Sequence, residues 1–167
     1  MRFIFGAMVI LLLIRTAAAD GIGGWPLLHW GMTKQQVEQA YPNFEYYNHM
    51  FIGGPQKVLG LEEYSAAGCN FAVWLEFYDN ELYEIQLQSI IRKGDPYDQL
   101  CKAKDALFEA YGQPEVSNLI PDEPIYTWKT RDTDVTFNDA FGNGFHEVGI
   151  TYTKHDWWKT PHQGKRL

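Results

Sequence analysis

The stretch Cys69–Leu87 constrains the fold more than any other part of the chain, because it has the pattern of a complete β-hairpin. Apolar residues occupy every second position of its first arm, Cys69–Tyr78, and of its second arm, Glu81–Leu87. Side chains alternate across a strand, so each arm has one apolar side. On the second arm this side is formed by Tyr83, Ile85 and Leu87. The Asp79-Asn80 pair between the arms suits a two-residue turn, because both residues tolerate a positive φ.

Two helices are predicted on either side of this hairpin. The first begins at a capping box formed by Thr33 and Gln36, and it ends before Pro42. The second begins at Asp95-Pro96, has apolar residues at helical spacing, and ends at Gly112. The Gly-rich lead-in at 20–30 is expected to be irregular, with its aromatic residues tucked against the domain.

Short alternating segments predict the remaining strands. They are Val58–Leu61, Ile125–Thr130, Val135–Phe137 and His146–Thr153. The order is therefore helix, three strands, helix, three strands, which predicts an internal duplication with repeats at about 31–91 and 95–153 and a tail at 154–167. The predicted fold class is α+β, with an antiparallel sheet and both helices packed on one face.

The N-terminus has the composition of a secretory signal peptide. Arg2 precedes a short apolar run, and small residues at Ala17 and Ala19 fit the pocket of a signal peptidase. We expect cleavage after Ala19, which leaves 20–167 as a single domain in the periplasm or outside the cell. The apolar run is short for a transmembrane span, so no stable membrane insertion is expected after cleavage; a retained anchor is the alternative.

The charge of the chain narrows the choice of partner. The formal net charge is −7, and loss of Arg2 and Arg15 with the signal peptide makes the remainder more negative. Binding to nucleic acid or anionic lipid relies on basic patches, so the composition argues against both. Aromatic residues make up 16% of the chain and include six Trp, a residue enriched at protein contact surfaces. The composition favours another protein with a basic surface as the partner.

The chain contains two cysteines, Cys69 and Cys101. In an oxidising compartment one pair of cysteines usually forms one disulfide. This disulfide would join the first hairpin strand to the second helix. A free thiol pair or a metal site is the alternative, but two cysteines without a CxxC spacing make a poor redox or zinc motif.

No motif for catalysis, a cofactor or a metal is found in the sequence, so we expect none of the three. No Ser lies in a Gly-x-Ser-x-Gly context, and the five His lack a metal-binding spacing. His146 is expected on the surface. Glu76 and Glu84 leave one alternative open, a small periplasmic hydrolase that uses surface carboxylates. We expect these two residues to form a solvated face, because burial is needed to raise a carboxyl pKa.

The side of the hairpin opposite its apolar side carries the candidate binding patch. This patch consists of Trp74, Glu76, Tyr78 and Glu84. Exposed aromatic surface edged by charged residues is typical of contact sites. The alternative is that the lead-in with Trp25 and Trp30, or the tail with Trp157 and Trp158, folds over the patch.

Two stretches resemble known families of exported proteins. Gly31-Met32-Thr33-Lys34-Gln35-Gln36-Val37 resembles the opening helix of the SmpA/OmlA (BamE-like) outer-membrane assembly proteins, and Leu75–Leu82 is similar to their strand, turn and strand. The doubled helix-plus-sheet plan is similar to the β-lactamase-inhibitor-protein fold. Both groups are non-catalytic and bind other proteins through a sheet face or its loops. The resemblance therefore implies a protein-binding module, either an inhibitor or immunity-type protein that neutralises a periplasmic enzyme, or a cell-envelope accessory.

Overall fold

The computed structural model of the protein describes residues 22–51, 54–92, 102–120, 123–142 and 145–159. The described helices are α1 (Lys34–Ala40), α2 (Ala103–Tyr111) and a short 3₁₀ helix at Trp157–Lys159. The strands are β1 (Glu45–Phe51), β2 (Gly54–Ala66), β3 (Cys69–Tyr78), β4 (Glu81–Arg92), β5 (Glu115–Ile120), β6 (Glu123–Lys129), β7 (Thr133–Gly142) and β8 (Phe145–Lys154). None of the described helices is long and apolar enough to cross a membrane. The predicted signal peptide at 1–19 lies outside the described residues.

All eight strands belong to one antiparallel sheet, in the order β1-β2-β3-β4-β8-β7-β6-β5. Strands β1–β4 and β5–β8 are each consecutive in the sheet, and the two groups meet where β4 pairs with β8. The predicted α+β fold, with helix-plus-three-strand repeats at about 31–91 and 95–153, is therefore wrong. The described chain is mainly a β structure, a single sheet with two short helices.

The fold prediction is wrong mainly because the two edge strands, β1 and β5, were not predicted as strands. β1 lies in a stretch that its Gly53-Gly54-Pro55 breaker predicts to be a connection, and β5 follows directly after the helix-ending Gly112. An edge strand has only one neighbour in the sheet, and its side chains are often left in water. Val116 of β5 is 57% exposed and Tyr46 of β1 is 49% exposed. Such strands lack a clear apolar alternation.

The predicted helix ends are confirmed where they are described. The backbone N–H of Gln36 donates to Thr33 Oγ1 at 3.3 Å, and Gln36 Oε1 accepts from the backbone N–H of Thr33 at 2.8 Å, which completes the capping box. The N–H of Gly112 closes α2 by donating to the carbonyl of Phe108 at 2.9 Å. The predicted start of the second helix at Asp95-Pro96 lies outside the described residues, and α2 as described begins at Ala103.

The hydrophobic core lies on one side of the sheet, which we call the inner face. Phe71 of β3 and Val148 of β8 are both 1% exposed there. Val37 of α1 and Leu107 of α2 belong to the same buried cluster, so both helices pack on the inner face. Burial of this apolar surface is the main source of stability. The opposite side, the outer face, carries neither α1 nor α2.

The lead-in packs against the domain, as predicted, and it does so on the inner face. The Trp25 ring lies 5.4 Å from the Tyr64 ring and 6.4 Å from the Tyr152 ring, measured between centroids. The Trp30 indole N–H donates to Thr133 Oγ1 at 3.0 Å. The lead-in therefore does not cover the patch predicted on the outer face.

The central hairpin forms as predicted, with one correction. Asp79 and Asn80 both have positive φ, +48° and +65°, as a two-residue turn between twisted strands requires. A β-bulge between Glu76 and Phe77 shifts the register, so Leu82 takes the buried position and is 0% exposed. Tyr83 was expected on the apolar side and instead lies on the outer face. One extra residue in a strand moves a side chain to the opposite face.

The predicted disulfide between Cys69 and Cys101 stays a prediction, because Cys101 lies outside the described residues. Cys69 is 1% exposed at the start of β3. The backbone N–H of Lys102 donates to the carbonyl of Ala67 at 2.7 Å, which brings the chain next to each cysteine close together.

Candidate functional site: the outer face of the sheet

A row of charged side chains crosses five neighbouring strands on the outer face. The strand register aligns Glu76, Glu84, Thr153, Asp134 and Lys129, in that order. Three of these five side chains are carboxylates, and Lys129 at one end is the only cation among them. We call this set the carboxylate row.

The next row along the outer face is mostly neutral and polar. It crosses all eight strands through Glu45, Gly60, Trp74, Gln86, Thr151, Thr136, Thr127 and Glu115. The hydroxyl-bearing residues of β6, β7 and β8, which are Thr127, Thr136 and Thr151, lie side by side in this row. A polar row next to an acidic one is typical of a solvated or contact-forming face and not of a second core.

The carboxylates of Glu76 and Glu84 share one hydrogen-bond network. The Gln86 side-chain amide donates to Glu76 Oε1 at 2.9 Å and to Glu84 Oε1 at 2.5 Å. Tyr83 O–H donates to Glu76 Oε2 at 2.5 Å, and Thr153 O–H donates to Glu84 Oε2 at 3.0 Å. These bonds fix the orientation of both acids, because each oxygen has a donor. The sequence pattern put Glu76 and Glu84 on the same side of adjacent strands but did not indicate this network.

Partial burial changes the acidity of two members of the network. Burial raises the pKa of Glu84, and the neighbouring Glu76 carboxylate raises it further, while the hydrogen bonds from Gln86 and Thr153 act in the opposite direction. Burial and the hydrogen bond to Glu76 raise the pKa of Tyr83 well above its usual range, so its hydroxyl stays a donor. Glu84 was expected on a solvated face, and it is instead a half-buried acid.

Trp74 was predicted to be an exposed contact residue, but its side chain is only 4% exposed. Its register partner on β2 is Gly60. A Cβ atom at Gly60 would lie 1.9 Å from the carbonyl oxygen of Val73, so only glycine permits this close approach of β2 and β3. Nearby, the Tyr47 hydroxyl donates to the same Val73 carbonyl at 2.5 Å, which ties β1 across β2 to β3. Trp74 is therefore a buried residue of β3 and not an exposed contact residue.

Tyr78 lies in an aromatic cluster with Tyr83 and Trp157. The Trp157 ring centroid lies 4.6 Å from that of Tyr83 and 6.4 Å from that of Tyr78. Tilted rings at these separations attract each other beyond the area that they bury. The tail that begins after β8 thus turns back over one end of the outer face. The side chain of Trp158 lies outside the described residues.

The structure also brings together an acid–base pair that sequence reasoning missed. His146 Nε2 is hydrogen-bonded to Asp139 Oδ1, and their side chains are 15% and 24% exposed. His146 was expected on the surface, and this expectation is wrong because its position on β8 points to the inner face. Neighbouring Glu147 points to the outer face, where it accepts a hydrogen bond from the Gln88 amide at 2.7 Å. The alternation of β8 could have shown the side of His146, but not its partner.

Two cavities of the described residues lie away from Glu76 and Glu84. A partly open cavity of about 30 Å³ lies between α2 and the inner face, and the buried Tyr152 and Leu107 line it. It has room for about one water molecule. A shallow groove of about 240 Å³ lies beside Glu115, Lys129 and Trp128. Neither contains Glu76 or Glu84, so the two acids do not sit in either cavity.

Within the described residues, no three His, Cys, Asp or Glu side chains are grouped so that they could hold a metal ion. The carboxylates of Glu76 and Glu84 accept hydrogen bonds from amide and hydroxyl donors, whereas Asp134 is paired with the His155 ring.

Comparison with known proteins gives little further information. No family model matches the chain, and no curated protein matches it. A DUF4309 family protein (YjgB) from Bacillus subtilis subsp. subtilis str. 168 has a similar solved structure, at 16% identity and a TM-score of 0.38. The match covers 73% of this chain and 78% of that chain. A similarity at this level supports no conclusion about function, and the resemblance to the SmpA/OmlA and β-lactamase-inhibitor-protein groups stays a prediction.

Proposed function

We propose that the protein is an exported, non-enzymatic binding module that uses the outer face of its sheet to bind a basic periplasmic or envelope protein. An inhibitor or immunity-type protein, or a cell-envelope accessory, is the concrete form of this role. The observation that carries the proposal is the outer face itself. Both helices and the lead-in pack on the inner face, while the outer face presents aligned carboxylates, amides and hydroxyls across neighbouring strands.

Electrostatics support a basic partner. The carboxylate row contains Glu76, Glu84 and Asp134 against the single cation Lys129. The formal charge of the whole chain is −7. Complementary charge mainly speeds encounter and suppresses wrong partners. The polar row beside it offers hydrogen-bonding groups to a docked surface.

A pair of charge-matched variants tests the proposal by pull-down from a cell-envelope extract. Thr136→Arg/Thr151→Arg introduces two cations at the centre of the outer face, whereas Gln35→Arg/Gln39→Arg introduces two on the exposed side of α1. We expect the parent and the α1 variant to retain the same partner, and the outer-face variant to lose it. Equal retention by all three proteins would place the contact elsewhere and refute the proposal.

One observation favours a second candidate, a small hydrolase that uses surface carboxylates. Glu84 is half-buried with a raised pKa, as a general acid requires, and Glu76 lies opposite it as a second carboxylate. Neither lies in the cavities described above, which is why we rank this function second. If the protein hydrolyses a panel of chromogenic glycosides, Glu84→Gln should lower the rate about 100-fold or more. The absence of any turnover by the parent would exclude this candidate.

A further inference from the structure

The segment that follows β8 closes over part of the outer face. It consists of His155–Lys159, and we call it the clasp. The His155 Nδ1 atom lies 2.8 Å from Asp134 Oδ1 in the carboxylate row, and the Trp157 ring packs on Tyr83. The clasp therefore brings an imidazole and an indole to the face that carries the acids.

A sharp turn directs the clasp onto this face. Asp156 has a φ of +57°, in the left-handed region that few residues other than glycine, Asn and Asp adopt. The backbone N–H of Lys159 donates to the carbonyl of Asp156 at 2.9 Å, and the Lys159 ammonium lies 2.8 Å from its carboxylate. The backbone N–H of His155 is held by the carbonyl of Asp132 at 2.8 Å. The turn and these bonds hold the clasp in its closed position.

The contacts of the clasp are of a kind that is easily broken. The side chains of His155 and Asp156 are 34% and 41% exposed, and that of Lys159 is 56% exposed. Exposed ion pairs add little stability, since water screens them. Trp157 is only half-buried. Among the described residues, the clasp is attached by the contacts of the Trp157 ring with Tyr83 and Tyr78 and by a turn at a left-handed residue, Asp156.

We propose that the clasp is an autoinhibitory cover for the binding face, which a basic partner bearing aromatic side chains displaces. We infer the chemistry of the partner from the groups that it would replace. These are the His155 imidazole on Asp134 and the Trp157 ring on Tyr83. This inference rests on the proposed function, because it concerns access to the same face. A closed clasp lowers the apparent affinity for a partner by the fraction of molecules that are open.

Two variants of the full mature chain open the clasp by different routes. Trp157→Ala removes the ring that contacts Tyr83, and Asp156→Val keeps the ring but places a β-branched residue at a left-handed position, where such residues are rarely found. Tyr46→Ala is the matched control, because it removes an exposed ring from the far edge strand β1.

The first readout needs no partner. Hydroxyl-radical footprinting read by mass spectrometry reports the exposure of each tyrosine. We expect oxidation of Tyr83 to rise several-fold in both clasp variants, and to stay unchanged in the control. Unchanged Tyr83 oxidation in both clasp variants would overturn the proposal, since the ring would then not be covered by the clasp.

The second readout uses a defined probe, a peptide of alternating Lys and Trp residues, in low salt. A clasp that is closed in about nine molecules of ten predicts about tenfold tighter binding in both clasp variants. Weaker binding by Trp157→Ala, with no gain in Asp156→Val, would overturn the proposal and make Trp157 a contact residue instead. If neither the parent nor the variants bind the peptide, the proposed basic partner is wrong, and the footprint of Tyr83 alone decides whether the clasp exists.

Discussion

Replacement of Trp74 by alanine separates a packing role from a binding role for the most prominent aromatic residue of the hairpin. The side chain is 4% exposed, between the register partners Gly60 and Gln86. Truncation of a buried Trp to Ala removes the transfer energy of the ring and leaves a cavity, which together cost about 3–5 kcal/mol in the free energy of unfolding. A chain of this size loses about 2–4 °C of Tm for each kcal/mol, so we expect Tm to fall by roughly 10 °C.

The assay is urea and thermal unfolding of the oxidised protein, followed by circular dichroism. Val116→Ala is the control, because Val116 is 57% exposed on β5 and its truncation should change the free energy of unfolding by less than about 0.5 kcal/mol. A change in Tm of less than about 2 °C for Trp74→Ala would refute the reasoning, since a loss that small is not compatible with a buried indole.

Three further predictions concern the packing at Gly60, the acidity of Glu84 and the predicted disulfide. Gly60→Ala should lower the free energy of unfolding by about 1–3 kcal/mol in urea titrations, because the added methyl meets the backbone of β3; unchanged stability would contradict that contact. Burial makes the pKa of Glu84 higher in the folded protein than in the unfolded chain. The contribution of Glu84 to stability is therefore complete below the pKa of the unfolded chain, and it is lost as the pH rises through the pKa of the folded protein. The free energy of unfolding of Glu84→Gln, measured relative to that of the parent in urea titrations, should therefore increase from pH 4 to pH 8. A difference between the two proteins that does not change with pH would argue against the raised pKa. Cys69→Ala/Cys101→Ala should lower the free energy of unfolding by roughly 3–4 kcal/mol, and the Tm of this variant should not change when a reductant is added. If the Tm of the parent is also unchanged by the reductant, the disulfide is excluded.

The elements that sequence patterns predicted correctly are those whose signals are local. The Asp79-Asn80 turn and the Thr33 capping box each depend on a few consecutive residues, and both are present. Alternation also assigned the correct side to Trp74 and to the acids opposite the core. The apolar side of β3 is buried as predicted, because a period of two leaves one face for the core.

The elements that were missed depend on contacts between distant parts of the chain. Tyr83 lies on the outer face because of a bulge opposite β3, and a bulge leaves no distinct local pattern in the sequence. Trp74 lies opposite a glycine of another strand, Gly60, which allows the close approach of β2 and β3. The pairing of β4 with β8 joins residues about 60 positions apart, such as Gln86 and Thr151, and converts two predicted repeats into one sheet. Non-local pairing of this kind cannot be read from periodicity in one strand.

In the candidate site, too, features within the hairpin could be predicted from the sequence, whereas features that depend on distant strands could not. Glu76 and Glu84 were expected on the same side of adjacent strands, and the register of β3 and β4 places them opposite each other. Asp134 and Thr153 come to the same row only through the β4–β8–β7 pairing, so the full carboxylate row was not predictable. Coverage of Tyr83 by Trp157 depends on the left-handed turn at Asp156, which the sequence did not indicate.

Site-specific photo-crosslinking in living cells tests most directly whether the outer face is the binding surface. p-Benzoylphenylalanine in place of Thr151 puts the reactive group at the centre of the outer face, and in place of Gln39 it puts the same group on the exposed side of α1. We predict a crosslink to one basic protein from position 151 and none to that protein from position 39. Crosslinks to the same protein from position 39 alone would contradict the assignment of the outer face as the functional surface.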